Sequence, residues 1–214
     1  MRTTESDILA REGWLTLVIA LLLAVTGWIL SPLLGILATI WLGFCLNFFR
    51  NPPRNFSPQN NGILCPADGK IIVITETLEP EFTHKHLRKI SIFMSPVNVH
   101  VNRAPVDGEI KNVIHHKGKF LAAFAEDASL HNERCATHVV TSSGTEVIFV
   151  QVAGWLARRI INYLKPGDNT SQGKIFGLIK FGSRMDIYFP IEYTVRVAMG
   201  DTVKAGQTWL ATKT

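Results

Sequence analysis

Lys174-Ile-Phe-Gly-Leu-Ile-Lys-Phe-Gly-Ser-Arg-Met-Asp-Ile-Tyr-Phe189 is two apolar, strand-like runs joined by Gly182-Ser183. A Gly-Ser pair ordinarily marks a turn in a polar loop. Both flanks here read as sheet, so the small residues point to close backbone approach or to chemistry. A serine after an unhindered glycine carbonyl can attack that carbonyl and sever its own chain, leaving a new reactive group at position 183. Strands dominate outward from this point. Residues 70–75, 89–94, 109–114 and 194–198 are short β-rich runs, punctuated by Asp68-Gly69, Asp107-Gly108 and Gly200-Asp201. Residues 136–141 and 146–151 flank Ser142-Ser-Gly-Thr145 as a hairpin, and only 119–129 and 155–163 lean helical. The predicted fold class is mainly β, a barrel or sandwich with minor helices.

The N-terminal quarter differs in kind. Residues 13–49 contain no charged side chain, 37 positions in a row. Ser31-Pro32 divides them into two apolar runs, 14–30 and 33–49, each 17 residues and at the short end of what spans a bilayer core. Proline lacks the N–H that a continuous helix needs, so a break is expected near Ser31. Arg2 and Arg11 precede the pair, and Arg50 and Arg54 follow it. Positive charge on both flanks favours two cytoplasmic ends, hence a helical hairpin that is transmembrane or re-entrant. The predicted organisation is an anchor over 1–50, a proline-rich linker over 51–61 that begins Asn51-Pro-Pro-Arg54, and a catalytic β domain over 62–214. Val197-Ala-Met-Gly-Asp-Thr-Val-Lys-Ala-Gly-Gln-Thr-Trp-Leu210 resembles the closing, hybrid turns of lipoyl-type barrels.

Beyond residue 12 the chain carries a net charge of +6. A basic excess on a tethered domain suits an anionic lipid surface. No basic block with interleaved aromatics supports a nucleic-acid partner. Cys45, Cys65 and Cys135 are odd in number and lack paired spacing, so they read as buried small hydrophobes in a reducing compartment. His84, His86, His115 and His116 have no carboxylate or cysteine at ligand spacing, and no metal site is expected.

Three constellations carry chemistry. Cys65-Pro-Ala-Asp-Gly-Lys70 holds Asp68 on a tight turn. Met94-Ser-Pro-Val-Asn-Val-His-Val-Asn-Arg-Ala-Pro105 presents His100 on one face of an extended run. Gly182-Ser183 is the third. Each alone has an ordinary structural explanation; together they supply a hydroxyl nucleophile, a base for its proton and a carboxylate to orient that base. Attack on the Gly182 carbonyl gives an ester, and elimination followed by hydrolysis leaves an N-terminal pyruvoyl group. Its ketone can form a Schiff base with a substrate amine and act as an electron sink, as a pyridoxal cofactor would.

These residues, with Asn51-Pro-Pro-Arg54, Ser95-Pro-Val-Asn-Val-His100, His131-Asn-Glu-Arg134, Gln151-Val-Ala-Gly-Trp-Leu-Ala-Arg-Arg159 and Phe181-Gly-Ser-Arg-Met-Asp186, resemble the short bacterial and archaeal phosphatidylserine decarboxylase proenzymes along essentially the whole chain. The resemblance implies cleavage between Gly182 and Ser183 into chains 1–182 and 183–214 that stay associated. It implies a pyruvoyl cofactor made from Ser183, with Asp68 and His100 in processing and proton transfer. The product would be phosphatidylethanolamine and CO2. Longer relatives carry a second histidine where this chain has Arg103. Arg134, Arg158, Arg159, Arg184 and His131 are candidate contacts to the phosphate and carboxylate of the lipid substrate. The expected location is the cell membrane, with the catalytic domain on the cytoplasmic face, and a homo-oligomer is compatible with this reading. The competing readings are the same chemistry on archaetidylserine or another amino-acid head group, and a non-catalytic membrane-anchored β-barrel adaptor.

Overall fold

The structure is a computed structural model that describes residues 2–59, 61–118, 132–154, 159–180 and 183–213. It divides into two compact units, Met1–Pro53 with Val97–Val99, and Arg54–Pro96 with His100–Thr214.

The first unit is helical. A 3-10 turn, Arg11–Gly13, leads into α1 (Trp14–Leu30), and α2 (Pro32–Phe48) follows after one residue. The break falls where proline dictates. Ser31 is extended and its hydroxyl accepts from Leu34 N–H, while Pro32 takes the first-turn position where no N–H is required. The hairpin closes on small residues: a Cβ on Gly35 would stand 2.4 Å from the Trp28 ring. Leu15, Leu22, Ile29, Leu33 and Ile40 point outward and are more than half exposed. Arg11–Leu30 is long and apolar enough to cross a bilayer; Pro32–Phe48 is shorter. After the helices, Asn51 reaches back to the carbonyls of Thr4 and Asp7 at 3.1 and 2.7 Å, so the start of the proline-rich stretch is pinned.

The second unit is mainly β, as its alternating sequence predicts. Its strands are β1 (Gly62–Leu64), β2 (Gly69–Leu78), β3 (His86–Met94), β4 (Val101–Arg103), β5 (Gly108–His116), β6 (Arg134–Val140) and β7 (Glu146–Ala153). They continue as β8 (Arg159–Asn162), β9 (Asn169–Thr170), β10 (Ile175–Lys180), β11 (Ser183–Phe189), β12 (Thr194–Val195), β13 (Thr202–Val203) and β14 (Trp209–Thr212). A curled sheet has the order β13-β2-β3-β11-β7-β6-β5-β9; two small sheets, β1-β14-β12 and β4-β10-β8, complete the architecture. All three sheets feed one apolar core, including Ile63, Ile92, Phe149, Phe176, Ile187 and Leu210. The ring centroids of Phe149 and Phe176 lie 4.7 Å apart and join the large sheet to the β10 sheet.

The sequence read 155–163 as leaning helical, and the structure corrects this where it describes the segment. Arg159–Asn162 is strand β8, zipped antiparallel to β10 from Arg159↔Lys180 to Asn162↔Gly177. Cross-strand hydrogen bonds and burial of Ile160 against the core outweigh a weak local helical preference. The close approach demands glycine: a Cβ at Gly177 would meet the Ile161 carbonyl oxygen at 2.0 Å. Residues 119–129 and 155–158 lie outside the described residues.

Candidate active site

Ser183 opens β11, the strand flanked by β3 and β7 in the middle of the large sheet. Its register partners are Met94, the last residue of β3, and Ala153, the last of β7. Side chains alternate across a sheet, so Ser183, Met185 and Ile187 face the main core, while Arg184, Asp186 and Tyr188 face the other side. Ser183 is fully buried and its hydroxyl donates to Met94 Sδ at 3.3 Å. A thioether is a weak acceptor, which leaves this hydroxyl easily redirected.

Asp68 reaches the same end of the sheet from two strands away. Lys70 pairs with Phe93, and Gly69 precedes it against the end of β3. A Cβ on Gly69 would stand 2.1 Å from the Phe93 carbonyl oxygen, so the Asp-Gly sequence is required by close packing of β2 on β3. Asp68 is thereby set about 10 Å from β11, two strand spacings. Its carboxylate takes Arg54 Nη2 on both oxygens, at 3.0 and 2.8 Å, and the Ala205 N–H at 2.8 Å. Both side chains of the pair are nearly dry, 6% and 11% exposed.

His100 comes to that end by chain path. The chain leaves β3 at Met94, opposite Ser183, and re-enters a sheet at Val101, opposite Leu178 on β10. The residue just before Val101 is His100, buried, beside the strand that leads into the Gly182-Ser183 bond. Arg103 ends β4. It is buried and its Nη1 donates to the Gly173 carbonyl at 3.0 Å.

Sequence reading did not single out the amides of β4, β7 and β8. Asn102, Gln151 and Thr137 are fully buried and Asn162 half-buried. Gln151 Nε2 donates to Asn102 Oδ1 at 3.0 Å and to the Ile161 carbonyl at 3.2 Å. Asn162 Nδ2 donates to Thr137 Oγ1 at 2.9 Å and approaches Cys135 Sγ at 3.4 Å. Burial pushes the Cys135 thiol up to about 11, so it stays protonated and inert. The only sequence signal was polar amides inside apolar strands, and that signal does not say which amides meet.

On the opposite face, Arg184 Nε donates to Asp186 Oδ1 at 2.6 Å and its Nη2 to Ser91 Oγ at 3.0 Å. Lys89 Nζ stands 3.3 Å from Asp186 Oδ2. Burial alone would raise the Asp186 carboxyl, but the charges of Lys89 and Arg184 and hydrogen bonds from Arg184 and Ser91 hold it below the usual range. The Arg184 guanidinium is therefore engaged inside the protein. Arg134 is half-buried at the start of β6 and lines a cavity of about 660 Å³ together with Lys89, Glu79, Asp186 and Tyr188. Arg159 is exposed and sits opposite Lys180, two residues before Gly182. His115 meets Glu133 at 3.0 Å and His116 meets Glu81, both from β5. Gly182, His131 and Arg158 lie outside the described residues.

The structure thus places a buried serine at the head of a central strand, with Asp68 on the turn into β2 and His100 just before β4. The family model for phosphatidylserine decarboxylase matches residues 41–211. The chain belongs to the phosphatidylserine decarboxylase family. Among similar family members, the phosphatidylserine decarboxylase proenzyme of Desulfotalea psychrophila is 46% identical over 167 residues, 78% of each chain. That of Burkholderia cenocepacia is 42% identical over 210 residues, 95% of each chain. That of Nitrosomonas europaea is 42% identical over 209 residues, 95% of this chain and 94% of its own. The family match begins at residue 41, inside α2, and ends at residue 211, within β14, so it spans β1 to β13 and all but the last residue of β14.

Proposed function

We propose that this chain is a membrane-anchored phosphatidylserine decarboxylase that cuts itself between Gly182 and Ser183 and works through a pyruvoyl group derived from Ser183. That it is a decarboxylase, a lyase of this family made as a proenzyme, follows from the family itself. The observation that carries the finer reading is the placement of Ser183: buried, first in its strand, with its hydroxyl, among the described residues, on the weak acceptor Met94 Sδ. The residues present fit a pyruvoyl group because its covalent precursor already occupies a water-free position between Met94 and Ala153. Once formed, that group supplies an electron sink beside the substrate amine.

The surrounding residues then have separable tasks. His100 takes the Ser183 hydroxyl proton as the oxygen attacks the Gly182 carbonyl. Asp68, fixed by Arg54, supplies negative charge at the same sheet end. Arg159, exposed beside Lys180, is the best-placed described cation for the lipid phosphate. Arg134 is a second candidate from the far face, and His131 and Arg158 are candidates on the resemblance. Arg184 serves the fold of β11 and not the head group. The two chains remain together because β11 is paired on both edges, β13 pairs with β2 and β14 with β1.

The helical unit supports a bilayer location: its outward surface is apolar and its inward surface is small. Arg2 and Arg11 before the helices and Arg50 and Arg54 after them favour a cytoplasmic catalytic domain. A lipid substrate then meets the enzyme in two dimensions, at high effective concentration.

The test is intact-mass measurement of purified protein. Wild type should give two chains broken before residue 183, the small one lacking a free amine. Ser183→Ala should stay whole and lose decarboxylation of phosphatidylserine, since alanine has no oxygen with which to attack. An Ser183→Ala enzyme that still releases CO2 ends the pyruvoyl reading.

A further inference from the structure

A cut before Ser183 makes the first residue of a central strand into a chain end, and chain ends fray unless tied. Backbone pairing is one tie: Ser183 and Arg184 face Met94 and Phe93 on one side, Ala153 and Val152 on the other. A second tie begins one residue in. Arg184 spans Asp186 on its own strand and Ser91 on β3, and Lys89, also on β3, approaches the other Asp186 oxygen. Asp186 and Ser91 are register partners, so the cluster links β11 to β3 at one level of the sheet. Arg184 is 2% exposed and Asp186 completely buried.

Apolar residues would fill such a position at no loss of stability, so a buried ionic cluster is explained better by geometry than by strength. Peeling the strand from its new end must draw the Arg184 guanidinium off two partners together. We propose that Arg184, Asp186, Ser91 and Lys89 form a clasp that holds residue 183 in register after the chain is cut. They act as positioning residues for the pyruvoyl carbonyls and have little part in the cut itself. This rests on the reading of Ser183 as the cut site. Before the cut, the covalent link through residue 182 already limits fraying, so the clasp matters chiefly in the mature enzyme.

Asp186→Asn is the obvious variant, but it leaves two buried cations unbalanced and can fail to fold. Ser91→Ala is milder, removing the cross-strand hydroxyl that accepts from Arg184 and hydrogen-bonds Asp186, and Arg184→Lys keeps the charge while losing the two-armed reach. Each is followed by intact mass, by kcat and KM on phosphatidylserine vesicles, and by amide hydrogen exchange at residues 184–186. The exchange is repeated in an uncut Ser183→Ala background. Both variants should be cut to completion, with kcat at least tenfold down and KM within twofold. Exchange at 184–186 should rise at least tenfold in the cut enzyme and stay unchanged in the uncut one. Wild-type kcat with unchanged exchange overturns the proposal. So does an equal rise in cut and uncut chains, which marks ordinary destabilisation. A wild-type chain found whole by mass overturns the parent reading and the clasp with it, and is recognised before any variant is made.

Discussion

Replacing Arg54 with alanine tests how the sheet end around Asp68 is held. The guanidinium contacts both carboxylate oxygens, at 2.8 and 3.0 Å, with both side chains nearly excluded from water. Removing one member of a buried pair strands the other charge, at a typical cost of about 3–5 kcal/mol. Asp68 keeps the Ala205 N–H and has a small solvent exposure, which places the loss toward the lower end, about 3 kcal/mol. In a chain of this size each kcal/mol moves the Tm by roughly 2–4 °C, so Arg54→Ala should lower it by about 6–12 °C. The assay is thermal unfolding in detergent on a Ser183→Ala background, where a single covalent chain keeps dissociation out of the transition. Asp68→Ala should cost a similar amount, and the double variant well under the sum, because the second change removes the charge that the first left unpaired. A Tm shift under about 2 °C, or single effects that simply add, would mean the pair is solvated and the reasoning wrong. In the Ser183 enzyme the same Arg54→Ala change should also slow the appearance of the small chain, read by timed intact mass.

Gly69→Ala drives a methyl into the Phe93 carbonyl, 2.1 Å away, and forces β2 and β3 apart. It should destabilise by about 1–3 kcal/mol and slow processing, whereas Gly144→Ala, in a turn with open space, costs only its positive-φ strain. Thermal melts with cleavage time courses separate the two. Burial lowers the pKa of His138 against raising effects of Glu146 and Glu79, with Lys85 lowering it further. A folded value below the ordinary 6.5 means that the unfolded chain takes up the proton first. The stability from this group is then complete above pH 6.5 and declines as pH falls toward the folded value. Melts at pH 7.5 and 5.5 should show a smaller acid-side loss for His138→Gln than for wild type; an identical loss removes His138 as the cause.

Much of the fold was legible because its causes are local. The helix break at Ser31-Pro32 follows from one missing N–H, and the two apolar runs from an absence of charge. The strands β2, β3, β5, β6 and β7 follow from β-branched alternation and their turn residues, each extending a little beyond the residues that the sequence pattern marked. The reading failed where pairing decided the outcome. Residues 159–162 lean helical in isolation but lie along β10, where hydrogen bonds and the burial of Ile160 are available only in the folded chain. The sequence offers Ser183, His100 and Asp68 as candidate residue types, while the Arg54 contact to Asp68 and the Asn102–Gln151 pair appear only in the fold.

By itself the sequence determined which reactive groups this chain offers: a glycine carbonyl before a serine oxygen, with a histidine and a carboxylate elsewhere in strand-rich surroundings. It also determined that the first fifty residues are apolar in a way the rest is not. Only the tertiary structure decided that Arg184, next to Ser183, turns inward to Asp186 and Ser91 while Arg159, opposite Lys180, faces water. The physical reason is that alternation assigns a side chain to a face of its strand, but the neighbours that cover that face arrive from residues far away in sequence. Register across β3, β11 and β7 is therefore the information that a linear reading could not contain.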